Sequence, residues 1–374
     1  METKEVMLES AEHRALRQSL RRLLDRHTSQ AARLTDGSAE QTDPELWRRL
    51  ANELGVGEMA VPEEFDGAGF GARELAITAE ELGRRLLPSP FLATVVMGIQ
   101  LLLETGDQAA IDTYLPGLMD GSKRATVLLP QHGAGWSIAT TSVAAFQSTD
   151  GTSQLRGSVT HVIDGGSADI LIVPARTSDG TIQLYVVTEF KDAVRSPNAA
   201  LDHTRAFAEV MLNDCTAVLV STDDAVAVTD RAMTVAAACL ASEQLGVAQY
   251  MLDTAVEYAR DRHQFGRAIG SFQAVKHKLA DSLLGLELAR ATVHDALIQL
   301  EDGQPTARRA VSIAKLVASE AGYDVCANAM QIFGGIGVTW EHHAHLYLKR
   351  ASGNRVLLGR PEVHREYIAS SLSL

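Results

Sequence analysis

From Val226 to Arg260 the chain is Ala-rich and nearly continuous in apolar residues. That pattern calls for one long helix, and a helix apolar around most of its girth must be sheathed by others. Helical periodicity returns through Phe272–Leu300, Ala307–Gln331 and Glu341–Leu348, which completes a bundle. Before about residue 225 the period changes. Short β-branched runs occupy Ala125–Leu129, Val143–Phe146, Ser158–Ile163, Asp169–Pro174, Ile182–Val187 and Glu209–Leu212. With Gly165-Gly166 and Ser178-Asp179-Gly180 as turns, they read as a small antiparallel β barrel or sandwich. Before about residue 120 the pattern is helical again. Leu16, Leu20, Leu23 and Leu24 share a face, Asp43-Pro44 starts a helix that Gly55 ends, and Ala72–Leu86 and Phe91–Glu104 follow. The expected fold class is α+β, mostly α. Residues 1–121 form a helical domain, 122–225 a β domain and 226–374 a four-helix bundle.

With 374 residues and 46% hydrophobic content, the chain can bury a large core. Its formal charge of −13 argues against nonspecific nucleic-acid binding, which needs a basic surface to release counterions. Cys215, Cys239 and Cys326 are scattered, so neither a disulfide framework nor a zinc site is expected, and a reducing cytoplasm fits. The first residues lack a signal-peptide core, and the apolar run Phe91–Leu103 is too short to span a bilayer, so no membrane association is expected. His342, His343 and His345 have no acid or Cys at ligand spacing and read as a polar helix start rather than a metal site. Gly67, Gly69 and Gly71 follow no strand and lack dinucleotide-fingerprint spacing.

Chemistry concentrates at Tyr258–Asp281, where a polar turn joins two amphipathic helices. Arg262 offers a planar fork suited to a phosphate oxygen, Phe265 a flat apolar face, and Gly266 a place for close approach. Gln273 and His277 share a helix face. An ordinary surface turn would use the same residue types.

The run from Arg262 through Gln264, Phe265 and Gly266 to Phe272-Gln273, closed by Leu279-Ala280-Asp281, resembles a signature of the acyl-CoA dehydrogenase family. Gln331-Ile-Phe-Gly-Gly-Ile-Gly337 resembles the family's second C-terminal signature. Val61–Gly71, with Glu80-Glu-Leu-Gly83 behind it, resembles the N-terminal one. The resemblance implies an FAD-dependent removal of hydrogens from the α and β carbons of an acyl-CoA thioester. A Glu takes the α proton, the flavin takes the β hydride, and an electron-transfer flavoprotein accepts the electrons. It also implies an FAD shared across a subunit interface. Arg262, Gln264, Phe265, Gln331, Gly334 and Gly335 match the family residues that reach the neighbour's pyrophosphate and adenine.

The catalytic half of the pattern is missing. Counting from Arg350, the family's Glu position falls on Gly359, with Arg360-Pro361 in place of Gly-Thr. The alternative base position falls on Ala236, and the Arg beside it is replaced by Ala237. Glu243 and Glu362 are the remaining weak candidates. The ring-holding loop is replaced by Leu129–Trp136, and the Trp-Ile-Thr-Asn-Gly strand by His161-Val-Ile-Asp-Gly165. Asp202-His-Thr-Arg205 reads as a turn rather than a catalytic pair. The resemblance is therefore closest to the non-catalytic subunit of heteromeric, steroid-degrading acyl-CoA dehydrogenases. There a paralogous chain supplies Glu and flavin pocket, in an α2β2 tetramer. A homotetramer with its base at Glu243 or Glu362, or a cofactor-free scaffold, stays open at this point.

Overall fold

A computed structural model describes residues 10–25, 43–130, 135–149 and 151–373. Helices α1 (Ala11–Asp25), α2 (Pro44–Leu54) and α3 (Ala72–Arg84) open the fold. The Asp43 side chain accepts from the Glu45 and Leu46 amides, Pro44 takes the first position, and Gly55 closes α2 in the left-handed conformation. Phe91–Ile99 is helical but wound wide, as a π-helix, and is buried along its whole length. It runs into α4 (Gln100–Thr105), and α5 (Gln108–Met119) follows.

Seven strands come next: β1 (Ala125–Val127), β2 (Ala144–Gln147), β3 (Ser153–Ile163), β4 (Ile170–Arg176), β5 (Ile182–Val187), β6 (Ala193–Pro197) and β7 (Phe207–Val220). β4, β2, β3, β7 and β5 pair in a closed ring, while β1 adds to β4 and β6 to β7. The ring is a barrel, which removes open edges from its central strands. It is mixed rather than purely antiparallel, because β1 and β2 both pair with β4 in parallel. β6 escapes sequence reading because it is a partly exposed edge strand that ends in a proline and lacks alternation. β7 is far longer than the expected Glu209–Leu212, since β3, β5 and β6 all pair with it.

The C-terminal bundle holds α6 (Ala225–Asp261), α7 (Gln273–Glu301), α8 (Ala307–Phe333), α9 (Ala344–Val356) and α10 (Pro361–Ser371). The expected helix Glu341–Leu348 starts three residues later and runs to Val356. The expected four helices become five, because α10 begins at Pro361, where a missing amide hydrogen costs a helix nothing. α6 is apolar enough to pass for a membrane span by length, yet it lies mostly buried inside the bundle. α3 crosses α6 at two glycines. A Cβ on Gly83 would meet the Glu243 carbonyl at 2.5 Å, and one on Gly246 would meet the Glu80 carbonyl at 1.9 Å. Backbones this close leave room only for glycine, and the crossing fixes the level at which Glu243 enters the interior.

Candidate functional site

Two regions answer to the expected site, one inside the protein and one on its surface. The inner one is a small, partly open cavity of about 30 Å³ between α3, the π-helical segment, the end of β3 and α6. It is lined by Ile163, Asp164, Thr204, Arg205, Glu243 and Arg350, among others. That is room for one or two waters, against roughly 300 Å³ or more for a typical ligand pocket. A buried ionic cluster fills the rest. Arg205 Nη2 donates to both Glu243 oxygens at 2.6 and 2.7 Å. Arg350 Nη1 and Asn354 Nδ2 donate to Glu243 Oε1 at 2.8 and 2.9 Å. Arg350 Nε donates to Asp202 Oδ2 at 2.7 Å, and its Nη2 to the Thr204 carbonyl at 2.6 Å.

This geometry decides the fate of Glu243 as a base. Burial pushes its carboxyl up, but the two guanidiniums and the Asn354 amide outweigh burial and hold it at about 2. A carboxylate so stabilised is a poor proton acceptor, and both its oxygens are already occupied. The Asp202–Arg205 run is the turn expected from sequence, but its ends also anchor this cluster.

Asp164 sits beside the cluster. It is buried, its φ is +54°, and its Oδ2 has no hydrogen-bond partner, nor does Arg205 Nε. Burial raises its carboxyl to about 6, with Arg205, Arg124 and Arg350 opposing. A folded-state value above the unfolded one means full stability below about pH 4, with loss as pH rises through 6. Asp164→Asn should therefore match the wild type near pH 4 and exceed it by about 3 kcal/mol above pH 7. Denaturant unfolding across that range checks this; parallel curves would refute it.

Neither position that the family resemblance assigns to the base carries an acid. Gly359 has φ +100°, and a Cβ there would meet His364 Nε2 at 2.8 Å and Gly135 Cα at 3.4 Å. Ala236 and Ala237 are fully buried within α6. Glu362 lies on the outer face of α10 with its side chain 61% exposed, 3.8 Å from Arg365. Of the replaced ring-holding loop, residues 131–134 lie outside the described residues. Trp136, at its end, is buried; its indole donates to Asp230 Oδ1 at 2.9 Å, and the Arg308 guanidinium lies 4.0 Å from the ring. His161 and Asp164 take positive φ at the end of β3. Among the described residues no group of three His, Cys, Asp or Glu could hold a metal ion.

The surface region gathers the other expected residues. β8 (His263–Gln264) and β9 (Arg267–Ala268) form a two-residue hairpin whose tip is Phe265-Gly266. Both tip residues have positive φ, 53° and 78°, as tight primed turns require. Glycine tolerates this; a bulky aromatic is strained by it. Phe265 nonetheless stands 91% exposed. Arg262, Gln264, Gln331, Gly334 and Gly335 are exposed as well. Tyr258 at the root of the hairpin meets the Phe333 ring edge-on at 5.3 Å, which seats the hairpin beside the Gly334-Gly335 turn. Ile336, Val338 and Trp340 continue the exposed apolar surface, and Leu283, Leu284 and Leu288 form another along α7.

The residues fit FAD by halves. An isoalloxazine ring has no space in the inner cavity, whose polar wall is taken up by its own ion pairs. The exposed fork, aromatic face and glycine turn match what a pyrophosphate and an adenine need. Sequence reading missed the Arg205–Glu243–Arg350–Asp202 cluster, although its members were all in view. An Asp and an Arg three apart in a turn, and a lone Glu on an Ala-rich helix, were signals of mutual need.

Residues 226–373 match the model described as "Acyl-CoA dehydrogenase, C-terminal domain", and residues 10–122 match the corresponding N-terminal domain. The chain is 35% identical to acyl-CoA dehydrogenase IpdE2 of Mycolicibacterium smegmatis, covering 94% of this chain and 96% of that one. Among solved structures it resembles the Tcur3481-Tcur3483 steroid acyl-CoA dehydrogenase, with a TM-score of 0.86 and 30% identity over 97% of this chain and 98% of the other. The ChsE4-ChsE5 complex from Mycobacterium tuberculosis gives a TM-score of 0.86 at 27% identity, covering 98% of each chain. The chain belongs to the acyl-CoA dehydrogenase family.

Proposed function

We propose that this chain is the non-catalytic subunit of a two-chain acyl-CoA dehydrogenase. Members of the family bind FAD. Here the chain supplies the pyrophosphate- and adenine-facing surface, Arg262, Gln264, Phe265, Gln331, Gly334 and Gly335, to a cofactor whose ring lies in a paralogous partner. That partner supplies the Glu and binds the acyl-CoA. When bound, FAD supplies the hydride acceptor for α,β-dehydrogenation, and an electron-transfer flavoprotein takes the electrons onward. The likeness to the Tcur3481-Tcur3483 steroid acyl-CoA dehydrogenase and to the ChsE4-ChsE5 complex favours a steroid side-chain or other bulky acyl-CoA as substrate and an α2β2 assembly.

One observation carries the reading: the interior beside Ile163 and Asp164, at the strand that the family resemblance assigns to holding the ring, is filled by the chain's own ion pairs, while Arg262, Phe265, Gln331 and Gly334 stand exposed. The glycine at the base position, wedged against His364, adds to it. A self-sufficient homotetramer using Glu243 or Glu362 would need an acid that is neither clamped nor on the outer surface. Purified alone, the chain should lack visible flavin absorbance and show no turnover with an artificial electron acceptor. Produced with its paralogue, it should yield one FAD per heterodimer. Full FAD and turnover in the lone chain would end the proposal.

A further inference from the structure

The hairpin and the start of α7 form a basic lobe on an acidic protein. Between Arg260 and Lys278 lie five cations, Arg260, Arg262, Arg267, Lys276 and Lys278, against one acid, Asp261. The local charge is +4 where the whole chain carries −13, and Glu257 and Asp281 mark the lobe's edges. All five cations are exposed. None of the five makes an ion pair among the described residues, whereas Arg17, Arg73, Arg156, Arg231 and others elsewhere each hold a carboxylate. Arg267 lies over the Phe272 ring at 4.0 Å, and Lys278 reaches Asn328 Oδ1 at 3.3 Å.

Their placement works against the local fold. Lys276 lies in the first turn of α7, where the helix dipole favours acids, and that turn contains none; Lys278 follows in the second turn. Cations exposed at the start of a helix, without a carboxylate to pair with, leave their charge free for a partner outside the chain. A single pyrophosphate beside Arg262 cannot occupy cations spread over both the hairpin and α7. Long-range attraction across an interface can.

We propose that this lobe is an electrostatic guide that meets an acidic rim around the nucleotide cleft of the flavin-bearing partner and speeds their encounter. This rests on the two-chain reading above. The partner is identified by its charge: a related chain whose cofactor cleft is bordered by carboxylates.

Association of the purified chain with a flavin-bearing acyl-CoA dehydrogenase paralogue that co-purifies with it, followed by stopped-flow or surface binding, tests the guide. The wild-type association rate should fall tenfold or more, on the order of electrostatic steering, between about 0.05 and 0.5 M salt. Lys276→Glu with Lys278→Glu should slow association about tenfold at low salt and leave dissociation within about twofold. Those changes place acids at a helix start, so folding should not suffer. Lys276→Glu and Lys191→Glu shift net charge equally, and only the first should slow association, since Lys191 lies on the β barrel side. A complex that forms at a salt-insensitive rate, or equal effects of these two single changes, would overturn the guide alone. Failure to form any complex would overturn the two-chain reading and the guide with it. Retention of a mixed-sequence RNA through the same lysines would reassign the lobe to nucleic acid and refute the guide.

Discussion

Glu243→Ala should lower the stability of this chain by about 3–5 kcal/mol while leaving turnover of the assembled enzyme unchanged. The stability half follows from what the carboxylate leaves behind. Arg205 and Arg350 would remain inside with two positive charges and one acid, Asp202, between them. Breaking a buried pair by removing one member carries about that penalty, whereas replacing a whole ionic set by fitted apolar groups can be neutral. The melting temperature should fall by about 4–6 °C in a chain of this size. Glu362→Ala, at an exposed site, should stay within about 0.5 kcal/mol. The pH dependence has a definite sign. Held at about 2 in the fold, against an ordinary value of 4.5, Glu243 stabilises fully above 4.5 and loses that contribution as pH falls toward 2. The gap between wild type and variant should therefore narrow between pH 5 and pH 2. The functional half separates this residue from a base. A general base contributes roughly a hundredfold or more to rate. If Glu243→Ala abolished turnover of the complex at a temperature where the variant is fully folded, the acid would be catalytic after all, and the two-chain proposal would lose its main support.

The contrast between Glu243 and Phe265 explains which parts of this molecule could be read without coordinates. Helices and strands show in apolar periodicity, a local property. So α2 with Asp43, Pro44 and Gly55, or the long α6, falls where side-chain pattern and capping chemistry place it. Motif residues such as Arg262 and Gly334 are legible by their order along the chain. Partnership between distant charges is not. Arg205, Glu243, Arg350 and Asp202 come from a β-domain turn, α6 and α9, and nothing in their spacing says that they converge. The same holds for the approach of Gly135, between β1 and β2, to Gly359. Ring closure of the barrel, with its parallel contacts to β4, is likewise set by pairing across long separations. A glycine where the family resemblance puts an acid can be seen in the sequence. That a side chain there would meet Gly135 can be seen only in three dimensions.

Arg262→Ala should strip FAD from the assembled complex without altering the fold of this chain. Arg262 is exposed and makes no ion pair among the described residues, so its loss leaves no intramolecular charge unmatched. Its melting temperature should stay within about 1 °C of the wild type, as for most surface changes. In the complex the same side chain would face a pyrophosphate in a closed interface. Truncating one partner of such a desolvated, hydrogen-bonded charge pair costs about 2–5 kcal/mol, or roughly a 30- to 4000-fold rise in Kd. Gel-filtered complex should then contain well under half an FAD per heterodimer, with turnover recovered by excess FAD. Arg262→Lys should fall between, since it keeps the charge but loses the planar fork that engages two oxygens together. Three outcomes sort the remaining possibilities. Loss of FAD with rescue supports a shared nucleotide site. Loss of the complex itself, at any FAD concentration, assigns Arg262 to protein contact instead. Full FAD and full activity in Arg262→Ala would mean that the platform holds no cofactor, and the chain would be a scaffold that has kept the family's surface without its use.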